Sequence, residues 1–265
     1  TMATLKDELD APGAGKVLVI VNSYREAEDA REQIEAQFRR RGQAVKVCAL
    51  VRNNPEHKEH FIPRSEVYRF YDHPARVLVA PAMAIERGFN IVDAGGHAVF
   101  TTLVFSVRPM GAPHDLGSRY RKLNGLMESA IDGYPESAGE FVAKVRGDSW
   151  RLWKMMERDE SLPMGVWRTM GKRVLADDAI ATLMVTIIQI FGRLARLADK
   201  DRPAPHVYFA DAAFRGGEDA RFSFKTLDEL GSYMERLMNE SDQPEVARAL
   251  YGPFYEAFKR GIRNV

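Results

Sequence analysis

Cysteine is almost absent from this chain. Cys48 stands alone, so no disulfide can form within it, and the composition leans towards a reducing, cytoplasmic setting. Charge of one sign is lacking as well: 38 Lys and Arg face 37 Asp and Glu, a formal net charge of +1. That balance neither demands nor forbids a local basic face. Long hydrophobic runs are missing. The longest apolar stretches, 98–107 and 179–191, carry polar residues and fall short of the roughly 18–20 needed to cross a bilayer. Residues 2–12 are mixed and acidic, not the basic-then-apolar pattern of a secretory signal. There is no internal repeat and no low-complexity tract. Cys48, His57, His60 and His73 are loosely spaced with no C-x-x-C pair, so no zinc site is expected. No G-x-S-x-G elbow occurs, and Cys48 falls inside a strand pattern, which argues against a nucleophilic triad.

What is present is enough apolar material for a large core: 45% hydrophobic and 28% charged over 265 residues, a globular profile. Residues 1–14 read as a tail or linker. Residues 16–22 (Lys-Val-Leu-Val-Ile-Val-Asn) form a continuous apolar run, the pattern of a strand covered on both faces. Ser23 is a plausible N-cap for a helix over 24–41, with apolar residues at Ala27, Ala30, Ile34 and Phe38 and a stop at Gly42. Further strands are expected at 44–51, 76–80, 98–107 and 205–210. Residues 52–63 read as a polar loop and 65–72 as a short helix. A long helix is expected over about 177–199 and two terminal helices over 227–239 and 244–263. Strands alternating with helices predict an α/β fold, a mainly parallel sheet with helices on both faces. On it sit a helical insertion over 108–173, holding Trp150, Trp153 and Trp167, and a C-terminal helical extension over 216–265.

The tempting motif is Ala11-Pro-Gly-Ala-Gly-Lys16. A P-loop needs G-x-x-x-x-G-K-[ST] after a strand and at the start of a helix. Here Asp10 occupies the first glycine position, Val17 replaces the hydroxyl residue, and a strand follows instead of preceding. A linker is the better reading.

The informative segment lies in the long helical stretch, 186–197. At about 100° per residue, Gln189, Gly192, Arg193, Arg196 and Lys200 share one sector, opposite Ile187, Ile190, Phe191, Leu194 and Ala198. An ordinary amphipathic helix with a solvated basic face would look the same. The segment Gln189-x-x-Gly192-Arg193-x-x-Arg196, however, resembles motif VI of superfamily 2 helicases, Q-x-x-G-R-x-x-R. Upstream, Glu86-Arg-Gly88-Phe-Asn90 resembles motif V in its E-x-G-x-D form, with Asn90 at the usual aspartate and Ala82 at the usual threonine. Residues 17–27 are similar to motif IV and the helix after it. The resemblance spans about 15–107 and 174–215, and the three segments occur in the helicase order. It implies the second, C-terminal RecA-like domain of such a motor.

By that resemblance Arg196 is the arginine finger, Arg193 its partner at the γ-phosphate, and Gln189 a contact to phosphate or attacking water. Gly88 and Asn90 would line the interdomain cleft near ribose or phosphate; without the resemblance they are simply a turn. Ser23, Tyr24, Arg25 and Arg87 would contact a nucleic-acid backbone, although Ser23 serves equally as a cap. Arg108–Gly117 with Arg119, Arg121 and Lys122 could add a backbone contact, or be a solvated loop. Neither a Walker A lysine nor a D-E-x-[HD] box is found. ATP and Mg²⁺ are therefore expected only in a complete two-domain motor whose P-loop domain is encoded upstream or carried by a partner, and the isolated chain is expected to be no ATPase. DNA or RNA is the other expected partner; no membrane and no resident metal are expected. Two alternatives stay open: a non-catalytic helicase-like scaffold, and a nucleotide-sugar-binding α/β domain whose basic helix holds a diphosphate.

Overall fold

The computed structural model describes residues 2–11, 13, 15–53, 55–86, 90–109, 116–129, 137–158, 173–194, 205–215 and 225–263. These fall into two compact units, one of residues 1–109 and 177–265, the other of 110–176.

The first unit is built, among the described residues, on six strands: β1 (Lys16–Val21), β2 (Val47–Val51), β3 (Phe61–Pro63), β4 (Val77–Pro81), β5 (Phe100–Phe105) and β6 (His206–Phe209). Their order is β3-β2-β4-β1-β5-β6, and every pairing is parallel. A parallel sheet must be covered on both faces, and the burial pattern shows it, since Val17 through Val21 are at most 3% exposed. Alternate residues serve opposite faces. Val17, Val19, Val21, Val47, Ala49, Val77, Val79 and Val104 pack on one side against helices α1 (Met2–Asp10) and α2 (Tyr24–Arg40). Leu18, Ile20, Leu50, Leu78 and Phe105 fill the other.

Helix α2 follows from its sequence. Ser23 Oγ accepts the Glu26 N–H at 3.1 Å, and Glu26 Oε2 accepts the Asn22 N–H at 2.9 Å, which satisfies two amides that the first turn leaves orphaned. At the far end Gly42 takes φ +72°. Its N–H donates to Arg39 O while that of Gln43 donates to Phe38 O, each at 3.0 Å, a Schellman closure that favours glycine.

Three expectations change. Residues 1–14 are not a plain tail: α1 buries Leu5 and Leu9 against the sheet and is pinned through Glu8. The Glu8 carboxylate accepts from Thr102 Oγ1 at 2.5 Å and Tyr208 Oη at 2.6 Å, and pairs with His206 Nδ1 at 2.8 Å. Within the expected polar loop lies β3, a three-residue edge strand too short to show periodicity; its Pro63 is tolerated because it closes an edge strand. Residues 65–72 belong to a 3-10 helix, Arg64–Asp72. Lys16, the lysine of the apparent P-loop, opens β1. Its ammonium donates to Phe70 O at 2.7 Å and to His73 O, and lies over the Phe70 ring at 4.5 Å. It is held at the amino end of the sheet.

Helix α3 (Ala82–Ile85) follows β4. Helices α4 (Leu116–Ser129) and α5 (Ala138–Arg158) belong to the second unit. Helix α6 (Arg173–Phe191) leads to β6, then the short α7 (Ala212–Arg215). An antiparallel pair, α8 (Thr226–Glu240) and α9 (Pro244–Arg263), ends the described chain. These last helices are part of the core. Phe254 of α9 meets Phe191 of α6 at 5.5 Å, and Phe258 meets Phe209 of β6 at 6.4 Å. Arg236 of α8 bridges Asp177 of α6 at 2.7 Å.

Candidate functional site at the carboxyl edge of the sheet

In a parallel α/β sheet, ligands bind outside the carboxyl ends of strands where consecutive connections leave on opposite faces. Strand β1 meets that condition. Its connection through α2 runs to β2 on one side, whereas the chain after β4 crosses to β5 on the other. The register Val21↔Pro81 brings the ends of β1 and β4 level. The Asn22–Arg25 segment and the Ala82–Glu86 segment therefore emerge side by side.

At the β1 end, Ser23 is engaged as the N-cap described above. Tyr24 is half-buried with the Arg52 guanidinium 5.6 Å from its ring centre, and Arg25 is exposed. At the β4 end Ala82, Ala84 and Ile85 point inward, Met83 is 54% exposed, and Glu86 is 5% exposed. Arg64, just beyond β3, donates from Nε to Ala84 O at 3.4 Å.

The end of α6 meets this second segment. Thr186 Oγ1 donates to Glu86 Oε2 at 3.1 Å, and the Arg193 guanidinium donates to Glu86 O at 2.8 Å. Residues 186 and 193 are two turns apart and so face the same way. Ile187, Ile190 and Leu194 are buried as the spacing predicts. The helix ends at Phe191, and residues 195–199 of the expected helix lie outside the described residues. After Phe191 the backbone tightens: Arg193 N–H donates to Ile190 O and Leu194 N–H to Phe191 O, both three residues back. Arg193 is only 8% exposed and folds against Glu86 instead of standing out from a solvated face. Gln189 is half-buried, with a buried Oε1 that has no hydrogen-bond partner among the described residues.

Asn90 is exposed, at the start of a loop closed by Asp93. Asp93 Oδ1 accepts the N–H groups of His97 and Gly95, both at 2.9 Å. The His97 amide, foremost among its partners, holds that carboxyl below the usual range. Arg87, Gly88 and Arg196 lie outside the described residues. On the other flank of β1, Ser106 Oγ donates to Ile20 O at 2.6 Å. Arg108 donates its N–H to Asp211 at 3.1 Å and a guanidinium N–H to Thr226 at 3.3 Å. Burial lowers its pKa, and the nearby Asp211 opposes the shift.

Of the residues picked out by sequence, Ser23, Tyr24, Arg25, Gln189, Arg193 and Asn90 are in described segments. Contacts join Arg193 to the Glu86 segment, and register joins that segment to Ser23–Arg25. Three residues of this edge escape sequence reasoning: Thr186, Arg52 and Met83. A threonine two turns before an arginine is a faint signal for Thr186. Arg52 and Met83 have none, since their roles depend on neighbouring strand ends.

Chemically, this edge offers backbone amides at a capped helix start, a methionine open to solvent, and arginines spread over several elements. Such groups can hold an anionic ligand. No protein-family model matches the chain, and no curated protein matches it. The architecture itself, a mixed α/β fold with a parallel sheet flanked by helices, is consistent with the RecA-like superfamily fold in general.

Proposed function

We propose that this chain is the C-terminal motor half of an ATP-dependent superfamily 2 helicase or translocase. In that role it supplies the arginine finger and part of the nucleic-acid backbone contact, and it does not hydrolyse ATP alone. One observation carries the reading. The three helicase-like segments converge on one sheet edge, with the Arg193 guanidinium 2.8 Å from Glu86 O tying the end of the motif VI helix to the motif V segment.

The geometry suggests a division of labour. Arg193 and Thr186 brace Glu86, the first residue of the motif V-like stretch. Arg196, three residues later in the sequence, is the group assigned to reach a γ-phosphate held by the P-loop domain. Guanidinium suits that task because it stays charged and matches phosphate oxygens with paired hydrogen bonds. An arginine that meets phosphate only when two domains close makes hydrolysis depend on domain motion. ATP and Mg²⁺ enter this scheme with the P-loop domain. DNA or RNA backbone lies along Ser23–Arg25 and Arg87.

The test is nucleic-acid-stimulated ATP hydrolysis by the complete motor, the P-loop domain being provided in the same chain or by a partner. Arg196→Ala is expected to lower turnover by about 10³-fold, the scale of arginine-finger removal, and this chain alone is expected to show no turnover. Turnover by this chain alone, or an Arg196→Ala motor with full activity, contradicts the proposal; the second result favours a scaffold.

A further inference from the structure

The second unit carries a surface that the motor reading does not use. On α5, Trp150 is 62% exposed. At 100° per residue, Arg146 and Lys154 flank it within about 40° on either side. The Lys154 ammonium lies 4.9 Å from the Trp150 ring centre. Gly147 shares this face, and nothing among the described residues lies within 4 Å of where its Cβ would be. On α4, Tyr120 is 54% exposed and stacks on Trp153 with ring centres 5.1 Å apart. Arg121 follows it in sequence and is exposed. Arg151, 74% exposed, lies about 100° round α5 from Trp150 and pairs with Asp148 at 3.2 Å.

Among the described residues of α4 and α5, Arg121, Lys122, Lys144, Arg146, Arg151 and Lys154 stand beside Glu128, Glu140 and Asp148. Asp148 is engaged by Lys144 and Arg151, and Glu140 lies ten residues from Trp150, about 15 Å along the helix.

Large rings set among cations fit two kinds of partner. A protein hot spot needs a desolvated apolar surround. The described neighbours three and four positions from Trp150 on α5 are Arg146, Gly147, Trp153 and Lys154, and the exposed Val142 is two turns away. A single nucleic-acid strand needs flat rings for its bases and cations for its phosphates, with no apolar rim. We infer that the α4–α5 face binds single-stranded nucleic acid, with Trp150 and the Tyr120–Trp153 pair as stacking platforms and Arg146, Arg151 and Lys154 as phosphate contacts. This inference stands apart from the motor reading, because it uses no residue of the sheet edge.

The test is fluorescence-anisotropy titration of the full chain against labelled oligothymidylate and oligouridylate at several salt concentrations. Trp150→Ala is expected to weaken binding about tenfold, the scale of removing one base–aromatic stack, and Trp150→Phe to restore most of it. Arg146→Ala with Arg151→Ala should lower the slope of log K against log salt by about 1.4, since each arginine neutralises one phosphate of a single strand. Tighter binding of one oligomer identifies the strand as DNA or RNA. The inference is overturned if neither oligomer binds, if only Tyr24→Ala or Arg25→Ala weakens binding, or if polyglutamate competes as well as the oligomers do. A failed motor assay leaves these titrations unaffected, so the two proposals fail separately.

Discussion

The Glu8 carboxylate shows how one residue decides where an element lies. It is partly buried, which by itself raises its pKa, yet hydrogen bonds from Thr102, Tyr208 and His206 outweigh that cost and leave it below 4.5. A carboxyl with a depressed folded pKa adds stability that is present above its unfolded value and lost as pH falls through the folded one. Glu8→Gln is therefore expected to lower stability by about 1 kcal/mol near neutral pH. The difference from the parent chain should shrink below about pH 4.5, as followed by urea unfolding at a series of pH values. A constant difference down to pH 2 would show that the ionised carboxylate is not what holds α1. On the alkaline side, burial and Glu8 push Tyr208 up to about 12, so its contribution lasts to high pH. Nothing in residues 2–10 announces this arrangement. The partners of Glu8 lie 94 to 200 positions away.

At the scale of elements, aromatic contacts fix the C-terminal helices. Phe105, Phe209, Phe214 and Phe258 are linked across β5, β6, α7 and α9, with Phe209 and Phe214 centred 4.9 Å apart and Phe105 and Phe209 5.3 Å apart. Phe258 is 9% exposed. Phe258→Ala is expected to cost about 3 kcal/mol, read as an earlier thermal transition by circular dichroism, whereas Glu256→Ala on the exposed side of α9 should change little. Equal melting of the two variants would show that α9 is not anchored to the sheet. The helices themselves are legible from sequence: 226–240 and 244–263 carry strong apolar stripes, and the observed bounds differ from the expected ones by at most one residue. The C-terminal helices expected from sequence are there, and Phe254 and Phe258 of α9 meet Phe191 of α6 and Phe209 of β6, partners that an apolar stripe by itself does not name.

For the whole molecule, the division into 1–109 with 177–265 and a separate 110–176 implies that the sheet keeps its core without the second unit. A chain in which a short Gly/Ser linker replaces residues 110–176 is expected to fold and unfold cooperatively with its helix and strand signals retained. Urea unfolding followed by both circular dichroism and tryptophan-independent tyrosine fluorescence checks this; loss of the cooperative transition would mean that the sheet unit needs the insertion. In the same variant, single-stranded nucleic-acid binding attributed to α4 and α5 should be lost.

The sequence by itself determined the strand and helix alternation, the identity of the buried runs and the start and stop of α2. Those features rest on local periodicity and on caps that span three or four residues. It also arranged three helicase-like segments in order. Tertiary structure alone decided that Lys16 is consumed by carbonyls at the amino edge, that α1 docks, and that Arg193 turns inward to Glu86. The reason is one of range: a periodic pattern specifies which side of an element is apolar, whereas the partner of a polar group is set by which strand ends the fold brings together. For Arg193 that partner lies 107 residues away.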